Sequence, residues 1–467
     1  MNKKTRSFLF LICFLLFLIS APLIILYSQG YRIDSENKKI VKTGGVYLKI
    51  IPKGAMVSID EKIKRKTDFL SGGIFIGNLI PKKYFLKIEK VGYQFWKKEL
   101  EIIEEKVIEA KNIFLIPHNL KFEFLERDVN QFFFSPNEKS VILKKEILNK
   151  EQKTWILTIY DTETKIKSRL IEEKEISKEG VKFLNLNWSP DSQKIILKAE
   201  IMKESENEIK FFILDLKKTP VEIIELNLTK ETKDCYFHPT SSEKIFFTKQ
   251  KQDSLLLFER EIGKENGNLL LEGVIVYDTT KDSIFWISEQ GFLEKSDLYG
   301  RSQKISIESL SVKENSLEIK VLNSFIFLKQ NEKLLLFNED SRNFKEISAK
   351  VKSIKISPDL KKIVLYNDYE LSVLFLKEDL NQPQKEKGEK VFLTRFSKKI
   401  GDVFWWTSHY LIFNADSEIK IIEIDDRDEI QIWNIADFKE PVLYFSKKEK
   451  ALYVQSKQDF FISEKMY

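Results

Sequence analysis

The sequence predicts a mainly β protein behind one N-terminal transmembrane helix. Three observations predict it. From Phe8 to Tyr27 there are 20 consecutive uncharged residues. No helical hydrophobic period follows them. From about Leu120 onward one phrase recurs, an aromatic or aliphatic residue, then Ser-Pro-Asp or a relative, a Lys and an apolar burst. The 467 residues are 43% hydrophobic and 32% charged, a folded and not a disordered composition. That length exceeds what one core usually serves. With 16 Gly and 11 Pro, turns fall to Asn, Asp, Ser and Lys. The net charge of +6, from 77 basic and 71 acidic residues, argues against a dedicated nucleic-acid binder. Cys13 and Cys235 cannot build a disulfide framework, and His118, His238 and His409 leave little for a metal centre.

The first element, residues 1–30, is a basic tail and an anchor. At about 1.5 Å per helical residue the apolar run matches a hydrocarbon core of roughly 30 Å. Lys3, Lys4 and Arg6 precede it, so the positive-inside rule keeps the amino terminus cytoplasmic and the bulk extracytoplasmic. A cleaved signal peptide is the rival. Ser20-Ala21 offers small residues, but Pro22 and the apolar Leu23 to Leu26 make a poor cleavage site. Cys13 then serves as a small apolar residue of the helix.

Residues 31–44 read as a linker, and a β module follows over 45–116. Val46 to Ile51 is a strand, Pro52-Lys53-Gly54-Ala55 a turn, and Val57 and Ile59 alternate up to Asp60. Ile74 to Leu79, Phe85 to Ile88 and Phe95 to Ile103 add strands around Pro81 and Gly92. The Pro-Lys-Gly-Ala turn, Val57-x-Ile59-Asp60, Leu79-x-Pro81-x-x-Tyr84 and Lys90-x-Gly92-Tyr93 resemble the PEGA domain, with Lys53 in place of the acid and Lys82 where a Gly is common. The resemblance implies a small antiparallel β-sandwich found in surface-layer and other envelope proteins, with no catalytic residues. Charge concentrates here. Tyr31 to Ile116 hold 18 Lys/Arg and 11 Asp/Glu, a balance of +7, and residues 1–30 carry +3, which leaves −4 for the rest. Lys62, Lys64, Arg65 and Lys66, on an expected loop, are the candidate contact with anionic lipid headgroups or cell-wall polymer, against the plainer reading of a solvated basic loop.

Residues 117–467 carry the repeat. Clear copies are Phe134-Ser135-Pro136-Asn137, Trp188-Ser189-Pro190-Asp191 and Ile356-Ser357-Pro358-Asp359, each followed by an apolar burst. Weaker ones start at Phe237, Tyr277, Phe325, Phe404 and Phe445. Each reads as strand, tight turn and buried strand, because Pro sets the turn and Asp or Asn caps it. The phrase looks like TolB-type and tryptophan-aspartate-type propeller repeats, and the resemblance implies a β-propeller of seven or eight blades that binds proteins or glycans. The strand Leu120 to Leu125 is expected to complete the last copy.

No motif for phosphate binding, zinc hydrolysis or a serine nucleophile is found. His238 occupies a repeat's Ser position and reads as a turn residue. Asp425 to Glu429 reads as a hairpin turn, not a calcium loop. At least one of Trp405-Trp406 must face a core. Asn227-Leu228-Thr229 is a glycosylation sequon of the kind that occurs by chance. No catalytic, metal or cofactor residues are expected. The function expected is that of a non-catalytic, single-pass plasma-membrane protein of the cell envelope. Its module attaches or spaces, and its propeller binds an envelope protein or glycan. An envelope glycan or peptide hydrolase or lyase, with carboxylates in the propeller channel, is the alternative.

Overall fold

An apolar run of mostly Phe, Leu and Ile satisfies its backbone within itself as helix, and α1 spans Lys3–Ser28. This is seen in a computed structural model that describes residues 3–149, 152–204, 206–312 and 316–466. The stretch Thr5–Ser28 is long and apolar enough to cross a membrane, and no part of it is buried against protein. The chain divides into two compact units: Met1–Phe122, Lys355–Lys439 and Ser463–Tyr467 form the first, and Glu123–Ile354 with Glu440–Ile462 the second.

In the first unit, α1 leads into a hairpin of β1 (Tyr31–Asp34) and β2 (Lys39–Lys42), where the sequence suggests a linker. The Asp34 carboxylate accepts from the amides of Glu36 and Asn37 and so turns the chain. Seven strands follow: β3 (Gly44–Ile51), β4 (Met56–Ile59), β5 (Ile63–Lys66), β6 (Gly73–Leu79), β7 (Lys83–Glu89), β8 (Trp96–Glu101) and β9 (Val107–Phe114). They make two sheets, ordered β6-β3-β9 and β5-β4-β7-β8. Alternation buries one face of each, with Val46, Leu48 and Ile50 on β3 and Leu86 and Ile88 on β7. Gly54, at φ +76°, sits where a Cβ would strain the turn between β3 and β4.

The expected all-antiparallel arrangement is corrected here. β3 and β9 pair in parallel, Val46 beside Ile108 and Ile50 beside Ile113. Parallel partners need a long crossover, and β4 to β8 supply it.

The first unit also holds the sheet Ile400–Thr407, Tyr410–Ala415, Glu418–Glu423 and Ile432–Asp437. Beside it in sequence is the sheet Lys362–Tyr366, Glu370–Phe375 and Lys390–Arg395, which Ser353–Ile356 joins where the chain passes between units. Val364, Val373, Trp405, Phe413 and Ile422 pack between these two sheets.

The second unit repeats the plan. Val129–Phe134 to Lys167–Glu172 and Gly180–Trp188 to Glu222–Glu225 are up-and-down four-stranded sheets, as is Leu317–Leu322 to Asn343–Ser348. Between them runs a seven-stranded sheet. Its long strand Asn268–Thr279 pairs by its first half with Ser254–Glu261 and by its second half with Ser283–Ser288, with Gly273 at φ +72° in between. One strand thereby closes one four-stranded group and opens the next. A further sheet joins Phe122–Glu126 to Asp459–Ser463, Ala451–Ser456 and Pro441–Ser446, so an early strand completes the last group.

The recurrent phrase has a local cause. Ser189 is buried, donates to the Asp191 carboxylate at 2.7 Å and accepts from the Lys194 amide at 2.8 Å. Ser135 with Asn137 and Ser357 with Asp359 repeat the arrangement. The copy at Phe325 is one strand out of step. Phe325–Gln330 and Lys333–Asn338 are the second and third strands of their sheet, and Leu317–Leu322 is the first.

Candidate functional site

The four basic residues singled out from sequence lie on and beside a strand, not in a loop. Lys62 is in the turn before β5, and Lys64, Arg65 and Lys66 lie on β5 itself, an edge strand paired only with β4. All four are exposed, and among the described residues none has a carboxylate within 4.0 Å. On β1, just after α1, the Arg32 guanidinium sits 3.5 Å over the Tyr27 ring and donates to the Tyr27 carbonyl at 2.8 Å. An aromatic ring with a cation at the end of an apolar helix is the composition of a membrane-interface belt.

A denser polar site lies where the module meets the sheet that ends in Ile432–Asp437, wholly within the first unit. Alternation along β8 puts Trp96, Lys98 and Leu100 on one face. Lys98 is 0% exposed there and is received from the sheet side. Its ammonium lies 2.7 Å from Glu423 Oε1 and donates to the Asp425 carbonyl at 2.7 Å, while Trp96 Nε1 donates to Glu423 Oε2 at 3.0 Å. Two glutamine amides stand in for missing strands. Gln431 accepts from the Lys97 amide and donates to the Lys97 carbonyl, and Gln382 does the same for Glu109 and Val107 on β9. Backbone groups of two sheet edges are thus satisfied by side chains. Arg427 joins Asp425 at 2.6 Å and donates to the Glu109 carbonyl at 2.8 Å; Lys385 joins Asp426 at 2.7 Å.

Burial pushes the Glu423 carboxyl up. Burial also works against Asp425, yet Arg427 and Lys98 hold it below the usual carboxylate range. The cleft here is narrow, about 50 Å³, and Lys362 and His409 also line it. That volume is on the scale of a few ordered waters.

Burial, helped by the charge of Lys362, lowers His409 to about 4, against Asp359, Asp379 and Asp425, which favour its proton. Above about pH 6.5, the ordinary value, His409 is neutral folded or unfolded and has no effect on the pH dependence. As pH falls from there to about 4, the unfolded chain binds a proton that the fold refuses, and up to about 3 kcal/mol of stability is lost. His409→Gln is expected to lack that loss. Thermal melts at pH 7, 6 and 5 check it, and parallel slopes for the two proteins would contradict it.

The acidic run Asp425 to Glu429 connects two strands, as the sequence suggests, and the carboxylates of Asp425, Asp426 and Asp428 are engaged by Lys98 and Arg427, by Lys385 and by the Glu99 amide. Trp405 and Trp406 are both buried, Trp406 edge-on to Phe114 and Tyr410. His238 accepts the Thr240 amide on Nδ1 and points Nε2 toward Glu259 at 3.8 Å, a turn role with burial lowering its proton affinity. His118 hydrogen-bonds through its amide to the Gly92 carbonyl. Cys235 is buried with its thiol pushed up by burial, and Cys13 lies on α1. Asn227 offers its carbonyl to Arg260. No cluster of three or more His, Cys, Asp or Glu suited to a metal occurs among the described residues. Sequence reasoning missed Lys98, Gln382 and Gln431. The parity of Lys98 with Trp96 and Leu100 was the available signal.

No family model matches the chain, nor does any curated protein. Solved structures similar to it include the β-propeller domain of Cps50 (Swd1) from Myceliophteria thermophila, at 11% identity and a TM-score of 0.40, covering 74% of this chain and 99% of that one. BamB from Moraxella catarrhalis is similar at 10% identity and 0.41, over 74% and 97%. The WD40 domain of SCAP from fission yeast follows at 8% and 0.42, over 74% and 98%. The up-and-down strand order of the four-stranded sheets gives them the form of propeller blades.

Proposed function

We propose that the chain is a single-pass protein of the plasma membrane, with its amino terminus cytoplasmic and its bulk in the cell envelope, that binds a partner and catalyses nothing. The PEGA-like module spaces the rest from the bilayer, and a β-propeller of seven or eight blades does the binding. The observation that carries this is the exposed apolar helix Thr5–Ser28, followed at once by a basic β module. The junction of Lys98, Glu423 and the two glutamines supports a rigid spacer over a flexible tether. Lys62, Lys64, Arg65 and Lys66, exposed and with no carboxylate within 4.0 Å among the described residues, are the residues for an anionic surface, each contributing about 1 kcal/mol near a charged bilayer.

The test uses the full chain reconstituted in nanodiscs and measures its association with vesicles containing 30% anionic lipid, a composition chosen as about that of a strongly charged leaflet. Binding to these vesicles that falls with salt and is lost in the variant Lys62→Gln, Lys64→Gln, Arg65→Gln, Lys66→Gln is the expected result. Equal binding by that variant would take the basic strand out of the proposal. Cross-linking in intact membranes that yields no adduct with the propeller would end the partner-binding part.

A further inference from the structure

We infer that the second unit contains a groove for an extended peptide in which an apolar side chain is flanked by carboxylates; this rests on the partner-binding reading above and names the ligand's chemistry. One wall is built by Ser283–Ser288, Leu293–Asp297 and Ser302–Lys304, the other by Leu317–Leu322, Phe325–Gln330 and Lys333–Asn338. Ile287, Leu293, Ile319, Ile326 and Leu328 fill the space between the walls. At one end this core opens into a cleft of about 1060 Å³. Ligand sites run to roughly 300–1,000 Å³.

The floor is the unfinished edge of that core. Ile326 is buried, and Phe285, Ile305, Val321 and Phe337 are half-buried around it. Cross-strand register sets Phe285 opposite Lys295 and Lys295 opposite Gln303, so the three share one face.

The rim carries Lys281, Lys295 and Arg342, and among the described residues none of these has a carboxylate within 4.0 Å. Arg342 is nevertheless held in place. Its Nε donates to the Ile305 carbonyl at 2.9 Å and its Nη2 to the Lys304 carbonyl at 3.3 Å, which leaves Nη1 for a ligand. The Lys295 ammonium rests 5.4 Å over the Phe285 ring. Cations held this way lose little freedom when they meet a carboxylate.

Two further features choose among ligands. Asp282 and Glu339 lie on the same rim, so a polyanion with a charge on every unit would meet repulsion, whereas alternating acid and apolar side chains would not. The floor is aliphatic with half-buried rings, which suits a Leu or Phe side chain better than a sugar ring seeking an open aromatic face. The groove is also long. Across the Thr280 to Ser283 turn a second cleft of about 400 Å³ shares Lys281 and Asp282 and adds Tyr299, 75% exposed; its Lys244 is already paired with Glu259 at 2.9 Å and Asp297 also lines it, so it extends the apolar and aromatic contact and not the cationic rim.

The test is fluorescence anisotropy of the full chain in detergent micelles with labelled Glu-Glu-Leu-Phe-Glu-Asp peptide. Expected are saturable, salt-sensitive binding, about tenfold weaker binding by Lys281→Glu/Arg342→Glu, and little binding when Leu-Phe is replaced by Ser-Ser. Both substituted residues are exposed, and circular dichroism verifies that the variant stays folded. Displacement by polygalacturonate at equal charge, or equal binding of the Ser-Ser peptide, overturns the peptide assignment. Equal binding by the double variant moves the peptide elsewhere and overturns the groove while sparing the partner-binding reading. No binding at all overturns the inference, and membrane cross-linking judges that broader reading separately.

Discussion

Lys98→Met lowers the stability of the first unit by about 3–5 kcal/mol, because it strands Glu423 in a buried site with its partner removed. Lys98 is fully enclosed and its ammonium is 2.7 Å from Glu423. The loss depends on pH with a definite sign. Burial already raises the Glu423 carboxyl, and without Lys98 it rises further. An acid whose folded value lies above its unfolded value destabilises the fold as pH rises between the two, so the deficit is larger at pH 8 than at pH 5. Adding Glu423→Gln recovers most of it, since the amide keeps an acceptor for Trp96 Nε1. Urea titrations of the full chain in micelles, following the earliest fluorescence transition, give the comparison. A loss below about 1 kcal/mol would mean the pair behaves like an exposed one and the module is not fixed through it.

Local chemistry made much of the fold legible. Ser189, Asp191 and Pro190 close a turn from within four residues, so the same letters mark the same hairpin wherever they recur. The sequence sets the copy at Phe325 one strand late because Asn323-Ser324, the actual first turn, carries no Pro or Asp, and the apolar burst fits either register. β5 looks like loop in the sequence for a related reason. An edge strand exposed on both sides shows no alternation, and only Ile63 is half-buried. The parallel β3–β9 pair was invisible because its partners lie some sixty residues apart and neither strand names the other. The junction lies between these cases. Parity could have turned Lys98 inward. Nothing local marks Gln382 or Gln431, whose role exists only once β8 and β9 present their edges to them. The groove residues come from strands and turns spread between Pro239 and Arg342, which only tertiary folding assembles.

Removal of the membrane phase from the chain's surroundings is the second large effect expected. Leu15→Arg/Ile19→Arg places two guanidinium groups on one face in the middle of α1, at about 2.5–3.5 kcal/mol each, and shifts the insertion equilibrium by roughly a thousandfold or more. The chain should leave the carbonate-resistant membrane fraction. Retention of the variant there would show that the module or propeller holds the membrane without the helix, and the basic strand would then be the first place to look. Orientation is set separately. Lys3, Lys4 and Arg6 on one side of α1 compete with Arg32, Lys38, Lys39 and Lys42 on the other, so the proposed orientation, which puts the smaller group inside, needs the amino-terminal three. Changing those three to Gln leaves only the distal cations and is expected to hold a fraction of molecules with the β units on the cytoplasmic side, where protease added to intact cells cannot reach them. Full sensitivity of every molecule would mean that the folded mass, and not the flanking charge, decides which way the helix lies.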